Sequence, residues 1–311
     1  MNDTPAFLDT DRPNVPDLVV PRAVIPFTLT NAPAHGRLVR LGPLADALLS
    51  RHPHPAPVSA LAGEALGLVA ALAGGLKFRG SFSLHARGDG RLRTLAADCT
   101  DQGALRFYAG LAKDFPPLTD VAPLSARDLL GEGHVAFTVD QGADGARHQG
   151  IVATTGTSLA DMAEHYYETS AQLAASISLA CSHLPEGWRA GALILERIAG
   201  QPGVDHAAAE EGWRTARLLA ATLTKSELLD DALAAETLLY RLFHETGVDV
   251  GRPRALAFGC RCSRARLSAI LEGFPADDLD DMTIDGDIVM TCEFCAVDFR
   301  FRRETFRGRE A

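Results

Sequence analysis

The chain is 311 residues long, 47% hydrophobic and 23% charged, and its 40 Asp+Glu against 30 Lys+Arg leave a formal net charge of −10. Those values suit two domains, or one large domain with an appendage, around a sizeable core. They argue against non-specific nucleic-acid or anionic-membrane binding, which need clustered Lys and Arg.

The first residues carry three Pro, four Asp and little hydrophobic periodicity, so 1–20 reads as a mobile extension without the basic and apolar regions of a secretory signal. Val24–Leu29 and Gly36–Leu41 have the pattern of short strands, and Leu44–Arg51 that of a helix stopped by the HPHPAP run at 52–57. Val58–Leu76 predicts a helix packed on most faces. Its apolar part, Ala65–Leu76, is shorter than the roughly 20 residues of a membrane span and reads as core. Ser81–Ala86 alternates, turns at Gly88-Asp89-Gly90 and returns over Arg91–Cys99, with a further strand at Leu105–Tyr108. Val135–Val139 and Gln149–Ala153 predict a second hairpin. Ser158 and Asp161 then cap a helix over Leu159–Ser170, and Ala192–Ile198 forms one more strand.

After the break at Gly200–Gly203 the pattern is helix only, as far as Phe258. Thr224 and Glu227 form a capping box, with Leu223 and Leu228 placed as a hydrophobic staple, for a helix running to about Glu245. The expected architecture is α+β: an N-terminal mixed sheet domain with inserted helices (21–205), a helical linker (206–258) and a small C-terminal module (259–311).

That module holds the strongest chemical signal. Cys260-Arg-Cys262 and Cys292-Glu-Phe-Cys295 are two close pairs separated by 29 residues. Two such pairs brought together supply four thiolates to one tetrahedral ion, for which zinc is the first choice over an iron–sulfur cluster. A four-sulfur site leaves zinc no open position, so metal-dependent hydrolysis is not indicated. The run at Asp277–Asp287 is a solvated acidic face and does not fit a calcium loop, because Thr283 stands where an acidic ligand is needed. Acidic charge near the thiolates is expected to raise their pKa in the absence of metal.

A module of about 50 residues is marginal without its ion, so loss of the metal should unfold it. Oxidation would do this, since neighbouring thiols resolve each other's sulfenic acids into Cys260–Cys262 and Cys292–Cys295 disulfides.

GEALGLVAALAGGLKFRG (63–80), GDG and ADC within 88–99, TVDQG and HQGIV within 138–152, RLFHETGV (241–248), CRCSRARL (260–267) and TCEFCAVDFRF (291–301) resemble the 33-kDa heat shock protein family. The resemblance spans about Val24 to Phe301. It implies a cytosolic, redox-regulated holdase: four cysteines bind one zinc when reduced, and oxidants join them in the two neighbour disulfides. The linker then loosens, and exposed apolar surface holds unfolding client proteins without ATP, often as a homodimer. The chain departs from the pattern in a longer N-terminal extension and at Ala171, where an acidic residue is usual.

Other residues read more plainly. His52 and His54 belong to a surface loop among prolines, His244 ends a helix, and Cys99 and Cys181 are small buried side chains. Trp213, Leu218, Leu219, Leu223, Leu228, Leu229, Leu233, Leu239, Leu242 and Phe243 form apolar stripes that dock the linker helices on the first domain. The five Arg between Arg300 and Arg309 read as a solvated tail. No nucleophile elbow, phosphate loop, dinucleotide fingerprint or zinc-protease motif is present, so no enzyme is indicated. Two other readings of the cysteines stay open: an interaction or regulatory protein with a purely structural zinc site, and a thiol oxidoreductase using Cys292 and Cys295.

Overall fold

The computed structural model describes residues 17–75, 79–113, 124–142, 145–198 and 205–307. Most of the expected extension and the break at 200–203 therefore lie outside the described residues, although Val19 and Val20, expected to be mobile, already belong to the first strand.

One sheet dominates. Its strands are β1 (Val19–Leu29), β2 (Ala34–Arg40), β3 (Ser81–Gly88), β4 (Leu92–Thr100), β5 (Ala104–Leu111), β6 (Gly133–Asp140), β7 (Arg147–Ala153), β8 (Ala175–Leu184), β9 (Gly187–Arg197), β10 (Val248–Val250) and β11 (Arg254–Phe258). They lie in the order β7-β6-β3-β4-β5-β11-β1-β2-β9-β8, with β10 paired beside β1. Every pairing given for the sheet is antiparallel except that of β11 with β5. The expected hairpins β3–β4 and β6–β7 are present in register.

The helices are α1 (Pro43–Leu49), α2 (Ala56–Ala73), α3 (Ala126–Leu130) and α4 (Leu159–Tyr166), which runs on into a π turn at Tyr167–Ala171. They continue as α5 (His206–Ala220), α6 (Lys225–Leu229), α7 (Ala235–Phe243), α8 (Arg264–Leu271) and α9 (Ala276–Asp281). Helix α2 is apolar enough by length and composition to cross a membrane, yet 78% of that stretch is buried inside the protein. It packs against β2, β3, β4, β5, β8 and β9, so being apolar all round is what its position demands. Gly63 lets it approach β8, because a Cβ there would meet the Cys181 Sγ at 2.3 Å.

The half of the sheet formed by β1, β2, β9 and β8 is covered on both faces, which explains the near-continuous apolar run of β9 from Ala190 to Leu195. Val24, Val39, Ala192 and Ile194 face α2 in the first core cluster. The alternate residues Ile25, Leu38, Leu193 and Leu195 pack with Trp213, Leu228, Leu239 and Phe243 of α5, α6 and α7 in a second cluster. The capping box forms as expected, Thr224 and Glu227 each accepting from the other's backbone N–H.

Two expectations for 206–258 need correction. The long helix from Thr224 is interrupted between Leu229 and Ala235, and the stretch is not helical to its end, since β10 and β11 enter the main sheet. Strand β8 and the short α3 went unpredicted. β8, ASISLACSHL, is built of small and polar residues and lacks the branched and aromatic content that marks a strand.

The C-terminal module has its own sheet of β12 (Thr283–Ile284), β13 (Asp287–Thr291) and β14 (Asp298–Arg302), with a small core of Leu271, Leu279, Ile288, Phe299, Phe301 and Phe306. Asp285 and Gly286 both have positive φ, 53° and 82°, as a two-residue hairpin loop requires. The expected Arg-rich tail is instead ordered here over 300–303: Arg302 pairs with Asp287 and Arg303 with Asp280.

Candidate metal centre

Cys260 follows the end of β11 and Cys262 precedes the Ser263 cap of α8, so a strand end and a helix start present one cysteine pair. Cys292 and Cys295 sit in the connection from β13 to β14. There Ala296 takes a left-handed φ of 53°, and its N–H and that of Cys295 both donate to the Cys292 carbonyl.

These turns bring together all four cysteines that the sequence singled out. Their sulfurs lie within 4.8 Å of one another. Sγ separations are 3.3 Å for Cys260–Cys262, 3.6 Å for Cys260–Cys292 and 3.5 Å for Cys262–Cys295. Four sulfurs held about 2.3 Å from one tetrahedral ion would stand about 3.8 Å apart, so the donor set fits a metal of that kind.

Without a cation the four thiols cannot ionise together, and their shared protons split them. The hydrogen bond between Cys260 and Cys262 pulls Cys260 down to about 7, and bonding with Cys260 holds Cys292 well below the usual thiol range. The same bonding with Cys260 pushes Cys262 and Cys295 upward. Neighbouring sulfurs dominate these shifts, in place of the expected acidic charge at 277–287.

The cluster is docked on the main sheet by residues that sequence reasoning missed. Asp98 of β4 accepts from Arg106 at 2.6 Å and from Arg261, the residue between the first two cysteines, at 2.9 Å. Arg106 also lies over the Phe294 ring, 4.2 Å from its centroid, and Arg51 donates to the Cys295 carbonyl at 2.8 Å. The only hint of these contacts in the sequence was a lone basic residue inside the C-x-C pair. The reading of His52 and His54 as surface loop is corrected. They are half-buried and stacked on each other, His52 packs on Phe107 at 4.7 Å, and burial holds both imidazoles below their usual range.

The remaining residues fall as read. Cys99 and Cys181 are buried, and burial pushes Cys99 far up and Cys181 to about 12. His244 caps α7 with its Nδ1 3.2 Å from the Tyr240 carbonyl. Of the linker stripe, Leu218 is exposed and faces away, while Leu238, unpredicted, is buried.

Arg40, at the end of β2, reaches across to the linker. Its Nε donates to the Leu228 carbonyl at 3.0 Å, Nη2 to that of Glu227 at 2.6 Å, and Nη1 to that of Leu233. One guanidinium thus takes up carbonyls at the C-terminal end of α6 and in the connection to α7, where helices leave acceptors unpaired.

Comparison with known proteins finds the Hsp33 protein family matching residues 23–302. The 33 kDa chaperonin of Caulobacter vibrioides strain NA1000 is 36% identical over 290 residues, covering 89% of this chain and 94% of that one. The 33 kDa chaperonin of Pseudomonas fluorescens is 33% identical over 272 residues, covering 86% and 87%. The crystal structure of the 33 kDa chaperonin from Thermotoga maritima superposes with a TM-score of 0.76 over 91% of this chain and 96% of that one; at 20% identity it speaks for the fold.

Proposed function

The chain belongs to the Hsp33 family of chaperones, and from that premise we propose that it is a redox-regulated, ATP-independent holdase of the cytoplasm, not an enzyme. Its divisions are a core of 21–205, a redox-sensitive linker of 206–258 and a switch module of 259–311. Cys260, Cys262, Cys292 and Cys295 hold one zinc ion in the reduced protein. Bound zinc supplies a closed four-sulfur cross-link with no reactive position.

Under oxidative stress the pairs Cys260–Cys262 and Cys292–Cys295 each form a disulfide. In each pair two thiolates, one peroxide and two protons give one S–S bond and two waters. The joined sulfurs no longer grip the ion, and the module loses its cross-link. The linker then lifts from the sheet, and the surface beneath it, Ile25, Phe27, Leu29, Leu38, Leu193 and Leu195, together with the apolar faces of α5 and α7, holds unfolding client proteins. The oxidised form works as a homodimer.

The observation that carries this reading is the convergence of four sulfurs directly after a linker that covers apolar sheet. Light scattering of a chemically unfolded client diluted into reduced and peroxide-treated protein, with zinc release followed in parallel, tests it. Suppression of aggregation is expected only after oxidation and in step with metal loss. Equal suppression by both forms, or none by either, overturns the proposal.

A further inference from the structure

β11 is the one strand that joins the two halves of the main sheet: β5 on one side and β1 on the other are both hydrogen-bonded to it. It is five residues long and ends two residues before Cys260. Its register with β5 comprises Ala257↔Ala104 and Phe258↔Leu105, and its register with β1 is interrupted by a bulge between Val20 and Val24. So the segment wired most directly to the cysteine cluster is also a short strand with little pairing on either side.

We propose that β11 is a displaceable strand, and that the slot it leaves between β5 and β1 is a client site for one extended apolar segment of an unfolded polypeptide, added as a strand. This rests on the holdase reading above and gives it a second, main-chain-directed binding surface.

The native occupant describes what the slot accepts. Leu256, Ala257 and Phe258 are all buried to 2% exposure or less, so the sockets are apolar. Main-chain groups do the recognition: Ala257 N–H donates to Gly103 C=O, Phe258 N–H to Leu18 C=O and Gly259 N–H to Leu105 C=O. The backbones approach closely, since a Cβ on Gly103 would meet the Ala255 carbonyl oxygen at 2.2 Å and one on Gly259 would meet the Ala104 carbonyl carbon at 2.5 Å. A site that reads backbone and asks only for apolar side chains tolerates many sequences, as strand addition at a sheet edge does. The one charged anchor in the occupant, Arg254, binds the carbonyls of Gly74 and Asp101 at the slot's end and leaves with the strand.

Amide hydrogen exchange on the full chain tests this, with reduced carboxymethylated α-lactalbumin, which stays unfolded and carries no thiols, as the client. In the reduced metal-loaded protein the amides of 257–259 are expected to be protected. After peroxide treatment they, and the facing amides of 19–24 and 104–105, exchange at least tenfold faster. Client then restores protection to 19–24 and 104–105 but not to 254–258. If the oxidised protein captures client while 254–258 stay protected, or while client protects only 206–245, the slot is overturned and the holdase reading stands. If protection of 254–258 in client-free oxidised protein rises with protein concentration, a second copy's strand fills the slot and the client assignment fails. If no client is captured at all, both fall.

A second measurement does not depend on oxidation. Ala257→Pro removes the N–H that donates to Gly103, and the reduced variant is expected to capture client several-fold better than its parent while keeping its metal. A variant that keeps its helix and sheet content and its metal yet captures no more than the parent overturns the proposal.

Discussion

Glu196 of β9 is a nearly buried carboxylate among three partners. Arg37 donates to it at 2.6 Å and His35 at 2.9 Å, and the Tyr167 hydroxyl donates as well. Burial alone would raise its pKa, but the hydrogen bond from His35 and the Arg37 charge outweigh that and hold it at about 2, against an ordinary 4.5. A carboxyl whose pKa is depressed on folding adds stability that is complete above the unfolded value and drains away as pH falls from about 4.5 through 2. That shift corresponds to about 3 kcal/mol. Glu196→Gln is expected to flatten the acid limb of stability against pH and to cost about 3 kcal/mol at neutral pH, because Arg37 is left buried without its counter-charge. Urea titrations at pH 3, 5 and 7 read both, and an unchanged acid limb would refute the assignment. At this scale the cysteines were legible because their spacing is itself the signal. Glu196, Asp98 and Arg40 were not, because each acquires its role from partners that only the fold brings near.

Helix α6 is five residues long, too short to persist alone, and its geometry is imposed from outside by the Thr224 capping box and by Arg40. Hydrogen bonds from a charged donor contribute roughly 1.5–3 kcal/mol each when partly buried. Arg40→Ala is therefore expected to destabilise the linker by about 2 kcal/mol and to speed amide exchange in α6 by about tenfold or more while the cysteine cluster keeps its metal. Exchange mass spectrometry checks this, and no change in α6 would show that apolar packing alone holds it. The capping box was readable from T-x-x-E, and the hairpins from alternation around Gly-rich turns. The strands β10 and β11 were not, because three and five residues give no periodicity to count and their partners lie at the far end of the chain.

Across the whole molecule three cores of very different size share one chain. The main sheet encloses α2 in an extensive cluster, whereas the C-terminal module buries six apolar side chains. A core that small needs a cross-link, and structural zinc in small modules contributes on the order of 10–16 kcal/mol of apparent folding free energy. Chelation under reducing conditions is expected to open 259–307 to protease while leaving the β1–β9 region resistant and folded. A metal-free protein as resistant as the loaded one would show that the module stands without its ion. The α+β class and the separate module were visible in the change of pattern along the sequence. The continuity of the sheet was hidden, because it depends on β11 through the pairing of Val20 with Leu256 and of Ala104 with Ala257, to which β10 adds that of Phe27 with Val250.

Those same pairings bear on how the protein is made. During translation β1 emerges early, and the segments that close it, β10 and β11, follow only near the end of synthesis, with the cysteines later still. A nascent chain on the ribosome therefore carries a sheet still open at β1, and a chain cut short by a stalled ribosome before Val248 keeps the edge of β1 opposite β2 unpaired.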